Sequence, residues 1–255
     1  MGNKVAILNQ KGGVGKTTTA INLGSYLAKN GKKVLLVDFD PQGNATGGLN
    51  LDKQGLDTTV YDVIINGADV SKVVRETNIS NLYILPSNAS LAAAEVELAG
   101  SEQRETKLRH GLENLTYDHI LIDCPPSLGL LSINALTAAD SVLIPVQAEY
   151  YAMEGLTQLL DVVQRVRSGL NTQLELLGVV ITMFDNRTSL SDQVAAEVKK
   201  YFGEKVFETV VPRNVRLAEA PSHGKSIMEH DKWSKGARAY KQLTKEFLDR
   251  LQLIA

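Results

Sequence analysis

The chain has 255 residues, a formal net charge of −2 and one cysteine. That length suits one large α/β domain with a substantial core. Hydrophobic residues at 44% and charged residues at 22% describe a soluble globular protein. The lone Cys124 excludes an internal disulfide framework and a four-cysteine metal site, and it fits a reducing compartment. No run of 18 apolar residues is present to cross a bilayer. The N-terminal segment Met1-Gly2-Asn3-Lys4 leads directly into a strand pattern, so no signal peptide is expected.

The first apolar run, residues 5–8, meets Gln10-Lys11-Gly12-Gly13-Val14-Gly15-Lys16-Thr17-Thr18-Thr19, and a helical pattern follows over 17–29. A glycine-rich turn between strand and helix points backbone N–H groups at one place, where the helix dipole adds positive potential. This is a phosphate cradle. Lys16 is placed to reach β/γ-phosphates and the Thr17 hydroxyl to ligate Mg²⁺. The first position of the usual pattern is glycine; here it is Gln10, and a second lysine, Lys11, follows.

The next strand, 34–37, runs into Asp38-Phe39-Asp40-Pro41-Gln42-Gly43-Asn44. Carboxylates at i and i+2 share one face of a strand. Beside a phosphate loop, one can orient the attacking water and the other can support Mg²⁺ through its waters; without such a loop they would read as solvated capping residues. Further strands are expected at 82–85, 119–122, 142–146, 178–182 and 206–211, with helices at about 91–115, 130–138, 153–168 and 190–202. The strand at 119–122 ends in Asp123-Cys124-Pro125-Pro126, the Walker B pattern, with Asp123 bonding Mg²⁺ or one of its waters. Cys124 reads as a small strand residue, since no chemistry visible here needs a thiolate.

Apolar strands alternating with helices predict a P-loop NTPase of α/β class: a twisted, mostly parallel sheet with helices on both faces and ligands at the strand C-termini. Lacking a linker, low-complexity tract or repeat, residues 1–255 read as one ATPase domain. A last helix over roughly 234–251 carries Tyr240, Leu243, Phe247 and Leu251 as an apolar docking stripe. Residues 199–255 hold 12 Lys/Arg against 7 Asp/Glu, and residues 1–198 hold 15 against 22. The basic end reads either as a polyanion-binding face or as ordinary solvated helix faces.

Four segments together resemble the ParA/MinD family of deviant-Walker ATPases: the loop at 11–19, Asp38 to Asn44, Asp123-Cys124-Pro125-Pro126-Ser127-Leu128-Gly129, and Val211-Pro212-Arg213-Asn214-Val215-Arg216 continuing to Gly224. The likeness covers nearly the whole chain. Asp-Pro-Gln-Gly-Asn places it with the ParA branch, of the short chromosomal Soj type, because no helix-turn-helix segment precedes the first strand.

The resemblance implies an ATP·Mg²⁺ sandwich dimer in which Lys11 reaches the partner's phosphates, so that dimerisation and slow hydrolysis are coupled. Lys16 and the backbone of Gly12, Gly13, Val14 and Gly15 would hold the phosphates. Thr18 would hold the α-phosphate end, and Asp40 would position the water. Thr17 would ligate Mg²⁺, with Asp38 and Asp123 acting through water. Met183, Pro212 and Asn214 would border the adenine. Arg187 and Arg216, with Lys199, Lys200 and Lys225, would bind double-stranded DNA without sequence preference, through its phosphates; each arginine also reads as a surface ion-pair partner. A ParB-like centromere-binding protein would stimulate hydrolysis. Cytoplasmic, nucleoid-associated localisation is expected, without stable membrane association. The alternative is a MinD-like membrane-associated division-site ATPase, disfavoured by the acidic motif and by the absence of terminal lysines.

Overall fold

Parallel strands buried on both faces need helices above and below, and the sequence supplies them. A computed structural model describes residues 2–149 and 153–254. The first half comprises β1 (Asn3–Ile7), α1 (Lys16–Lys29), β2 (Val34–Asp38), α2 (Asn44–Gly48), α3 (Val60–Ile65), α4 (Val70–Val73), β3 (Arg75–Glu76), β4 (Leu82–Leu85), α5 (Leu91–Ala99) and α6 (Lys107–Gly111). The second comprises β5 (His119–Asp123), α7 (Leu130–Ala138), β6 (Ser141–Gln147), α8 (Glu154–Gly169), β7 (Glu175–Thr182), α9 (Ser189–Phe202), α10 (Val215–Glu219), α11 (Ile227–His230) and α12 (Lys235–Ile254).

The sheet order is β3-β4-β2-β5-β1-β6-β7, and every pairing is parallel except β3 with β4. Side chains alternate across it. Ala6, Leu35, Val37, Ile120 and Ile122 enter the core under α3 and α5 to α9. Val5, Ile7, Leu36 and Leu121 enter the opposite core under α1 and α12. The register sets Asp38 beside Asp123 and Ile7 beside Asp123. Three central strands therefore end level, and the segments following them share one edge.

Two expectations fail in instructive ways. Residues 206–211 make no ladder strand; they meet β7 through an isolated bridge, Val179 with Val206, and through the Phe207 and Val211 amides, which donate to the Val179 and Ile181 carbonyls at 2.9 and 2.8 Å, while Pro212 bridges to Phe184 just beyond. The seventh strand is instead the two-residue β3. The run is apolar because Phe207 and Val211 are buried in the core under α12 and Val206 in the core on the opposite face, and burial selects the same residues as a ladder does. Gly178 makes this close crossing possible: its φ is 157°, and a Cβ there would stand 2.4 Å from the Lys205 carbonyl oxygen. The expected helix at 91–115 breaks into α5 and α6 across the polar stretch 100–106.

The apolar stripe of α12 docks as expected. Tyr240, Leu243, Phe247 and Leu251 are all buried, and the Tyr240 and Thr19 hydroxyls meet at 3.1 Å to join α12 to α1. Among the described residues no helix is long and apolar enough to cross a membrane. Phe247 has no exposed surface, so Phe247→Ala is expected to destabilise the fold by about 3–5 kcal/mol. A urea titration checks this, and a loss below about 1 kcal/mol would show that α12 is not part of the cooperative core.

Candidate nucleotide-binding site

The loop after β1 is held from both sides. The Asn9 side chain donates to the Pro145 carbonyl at 2.8 Å and accepts from the Lys11 amide at 3.0 Å. Thr182, at the end of β7, donates to the Val14 carbonyl at 2.8 Å. Gly13 and Gly15 turn at φ 76° and 88°, conformations that favour glycine. Gly12 is different: its φ is not positive, and a Cβ there would meet nothing within 4 Å.

The two loop lysines point to different surroundings. Lys16 is buried and donates to the Lys11 carbonyl at 3.3 Å. Burial draws its ammonium below the usual lysine range, opposed chiefly by Asp123. Lys11 is part-exposed and pairs with Glu149 at 3.3 Å. Glu149 also stands 3.6 Å from Arg213.

Asp38 is fully buried and well provided with donors. Its Oδ2 accepts from the Thr46 amide at 2.7 Å and the Thr46 hydroxyl at 2.6 Å, and its Oδ1 accepts from the Asp40 amide at 3.4 Å. Burial still raises its carboxyl to about 6, against the pull of those bonds. Ser87 continues the network, its amide donating to Thr46 Oγ1 at 3.0 Å and its hydroxyl to the Asp40 carbonyl at 2.9 Å. Asp40 itself is nearly buried and accepts from the Gln42 amide at 2.9 Å. Thr46 and Ser87 escaped the sequence reading. Thr46 lies eight positions beyond Asp38 with no motif to mark it, and Ser87 arrives from the end of β4.

Asp123 contrasts with Asp38. Both carboxylate oxygens are buried with no hydrogen-bond partner. The Thr17 hydroxyl stands close enough to favour its charge without reaching bonding geometry. Burial first, and the neighbouring Asp38 second, push this carboxyl well above the usual range. An orphaned buried carboxylate beside a lysine and a threonine suits a hydrated divalent cation. No group of three or more His, Cys, Asp or Glu among the described residues is placed to hold a metal ion. A cation here therefore needs ligands from outside the protein, as Mg²⁺ on phosphates has. Burial pushes the Cys124 thiol up and keeps it protonated, as suits a packed rather than a reactive side chain, but the residue lies one position past the end of β5 and not in the strand as expected.

A cavity of about 360 Å³ opens beside the loop, lined by Gly15, Thr18, Met183, Pro212, Asn214 and Tyr240 among others. The three residues expected around an adenine are thus brought together. Met183 adopts φ 51°, strained for a non-glycine residue, and Asn214 caps α10 by accepting from the Leu217 amide.

The expected DNA-binding residues divide. Arg187 lines a groove of about 680 Å³ with Arg213, Lys235 and Arg238, three cations the sequence reading did not single out. Arg187 is braced by Asp185, with Nε to Oδ1 at 2.9 Å and Nη2 to Oδ2 at 2.7 Å. Lys199 pairs with Glu208, Arg216 pairs with Glu219, and neither residue lines this groove. Lys200 lies in the last turn of α9 and Lys225 precedes α11, also outside it.

A strand, a glycine turn closing around a buried lysine, and an aspartate ending the next strand in the sheet together define a P-loop nucleotide-binding fold. Comparisons agree. A family model described as an AAA domain matches residues 2–176. The sporulation initiation inhibitor protein Soj of Bacillus subtilis is 57% identical over 248 residues, covering 96% of this chain and 98% of that one. The chromosome-partitioning ATPase Soj of Treponema pallidum is 53% identical over 252 residues, covering 98% of each. Cobyrinic acid a,c-diamide synthase of Mycobacterium smegmatis, solved with bound ADP and magnesium, superposes with a TM-score of 0.87 at 36% identity, covering 99% of this chain and 96% of that one. The chain belongs to the Soj/ParA family.

Thr46→Val removes one of the donors to Asp38 without changing side-chain shape. It is expected to cost about 1–3 kcal/mol of stability and to weaken Mg·ATP binding. Chemical denaturation and calorimetric titration check both effects. Unchanged values would mean that Thr46 does not hold the acidic loop.

Proposed function

We propose that this chain is an ATP-hydrolysing chromosome-partitioning protein that acts as a single ATPase domain and switches between monomer and ATP-bound dimer. The observation that carries the reading is the contrast within the loop. Lys16 serves the inside of the cradle, while Lys11 faces outward, and Gly12 beside it meets no intrachain requirement for glycine. A glycine with no purpose in its own chain, next to an outward lysine, suits close approach by a second copy.

In this reading Lys16 and the amides of residues 12–17 hold the β- and γ-phosphates, and Thr17 with Asp123 supports the cation. Bound Mg²⁺ neutralises charge developing on the transferred phosphoryl group. Asp40 accepts a hydrogen bond from the attacking water and aims it, with Asp38, Thr46 and Ser87 fixing its backbone. Lys11 adds its charge to the partner's phosphates only when two chains meet, so hydrolysis waits on assembly. The base sits against Met183, Pro212 and Asn214. The dimer presents Arg187 twice, with Arg216, Lys199, Lys200 and Lys225 as further cations, to duplex DNA of any sequence. Ion pairs on exposed arginines are weak and screened, so phosphates can displace Asp185 and Glu219. A ParB-like protein accelerates turnover and releases the DNA, in a cytoplasmic protein that resides on the nucleoid. A membrane-surface role has less support, because the apolar stripe of α12 is already buried.

Light scattering with ATP and with ADP tests the switch. Gly12→Val is expected to bind ATP yet remain monomeric, and an ATP-dependent dimer of this variant would overturn the close-approach argument. Asp40→Ala is expected to dimerise with ATP and to lose hydrolysis by about 10²–10⁴-fold. Rapid phosphate release from it would remove Asp40 from the reaction.

A further inference from the structure

Trp233 is the only tryptophan of the chain and stands 79% exposed just before α12. It belongs to neither hydrophobic core, and an unpacked indole leaves a large aromatic surface in water. Its setting is organised. The Asp231 side chain accepts the Trp233 amide at 3.1 Å through Oδ1 and lies 3.7 Å from the Arg216 guanidinium through Oδ2. One carboxylate therefore positions both the exposed ring and an exposed arginine. Lys232 places its ammonium 5.3 Å from the ring centroid. Val215, next to Arg216, is itself 71% exposed. This short helix lies against the start of α12, for a Cβ on Gly236 would meet the Leu217 side chain at 2.6 Å.

Resting on the DNA-binding reading above, we propose that Trp233 is a further DNA-contact residue, packing its ring against sugars and base edges of the duplex while Arg216 and Lys232 take the flanking phosphates. Charge complementarity selects this occupant. The apolar element is one ring and one valine beside the cations Arg216 and Lys232. The carboxylates of Glu219 and Asp231 meet Arg216 in part-exposed, weak pairs that phosphates can displace. A polyanion with apolar faces between its phosphates matches that pattern. A bilayer surface calls for a broad apolar helix face, and α12 spends its own on the core. The contact differs in kind from a phosphate contact, because it adds a component of affinity that salt does not screen.

The sole tryptophan reports on its own contact. The full chain, with Mg²⁺ and a slowly hydrolysed ATP analogue, is titrated with a random-sequence labelled duplex; label anisotropy gives binding and indole emission gives the contact. Emission is expected to shift to shorter wavelength or quench as anisotropy rises. Trp233→Ala is expected to bind the duplex about tenfold more weakly, with Trp233→Phe recovering part of the loss. Duplex binding without any change in emission, or Trp233→Ala binding as tightly as the parent, overturns the inference while leaving the DNA reading intact. Absence of duplex binding by the parent, with Arg187→Ala no weaker than it, defeats the DNA reading itself and the inference with it. An emission shift with phosphatidylglycerol vesicles but not with duplex assigns the ring to a membrane and also overturns it.

Discussion

Lys16, Asp38 and Asp123 are held out of water at one edge of the sheet, and the register of β2 against β5 forces the two carboxylates side by side. Removing such charges from water is costly unless each finds a partner. Asp38 finds Thr46 and the Asp40 amide, so its burial is partly compensated within the chain. Asp123 finds nothing in bonding geometry, and Lys16 is left with a single backbone carbonyl. The uncompensated part is a free-energy gradient toward a ligand that brings both negative and positive charge, which is what a nucleotide with its cation offers. The stiff parallel strands beneath keep the groups from relaxing away from one another. Affinity here is thus a property of the register as much as of the loop.

Most of this edge was legible from the chain alone, because it is built from local signals. A glycine turn, a strand ending in aspartate and a strand pattern each occupy fewer than a dozen consecutive residues, and parallel crossovers bring all of them to the same side. What stayed hidden depends on distant pairs. Ser87 joins the Asp40 carbonyl across 47 positions, and Glu149 meets Lys11 across 138; no periodicity announces either. The strand expected at 206–211 shows a different limit. Residues 206–211 carry the composition of a buried strand, yet they earn their burial by crossing beside Gly178 rather than by extending a ladder. The short helices α3, α4 and α11 escaped because four to six residues carry no measurable period. Their caps, Thr59, Asp69 and Ser226, were the readable trace.

Glu149 gives the outward lysine a resting place. Its carboxylate lies between Lys11 and Arg213, so the residue that distinguishes this loop and a cation of the basic groove share one counter-ion. The pairs are part-exposed and individually weak. That weakness leaves Lys11 able to exchange its partner, where a deeply buried pair would hold it in place. The fold thus keeps Lys11 ordered near the loop without committing it there.

Helix α12 touches both ends of this arrangement. Tyr240 forms a wall of the cavity beside the loop, while Lys235, Arg238 and Gln242 line the basic groove. All belong to one continuous helix of 20 residues, about 30 Å long. A helix does not flex over two residues, so Tyr240 and Arg238 travel as one body. Ala237, Tyr240, Leu243, Phe247 and Leu251 are all buried, so the helix is held in the core along most of its length. The helix therefore serves as a ruler: it sets the separation between the cavity wall at Tyr240 and the cationic wall at Lys235 and Arg238, and holds both in one frame with the sheet.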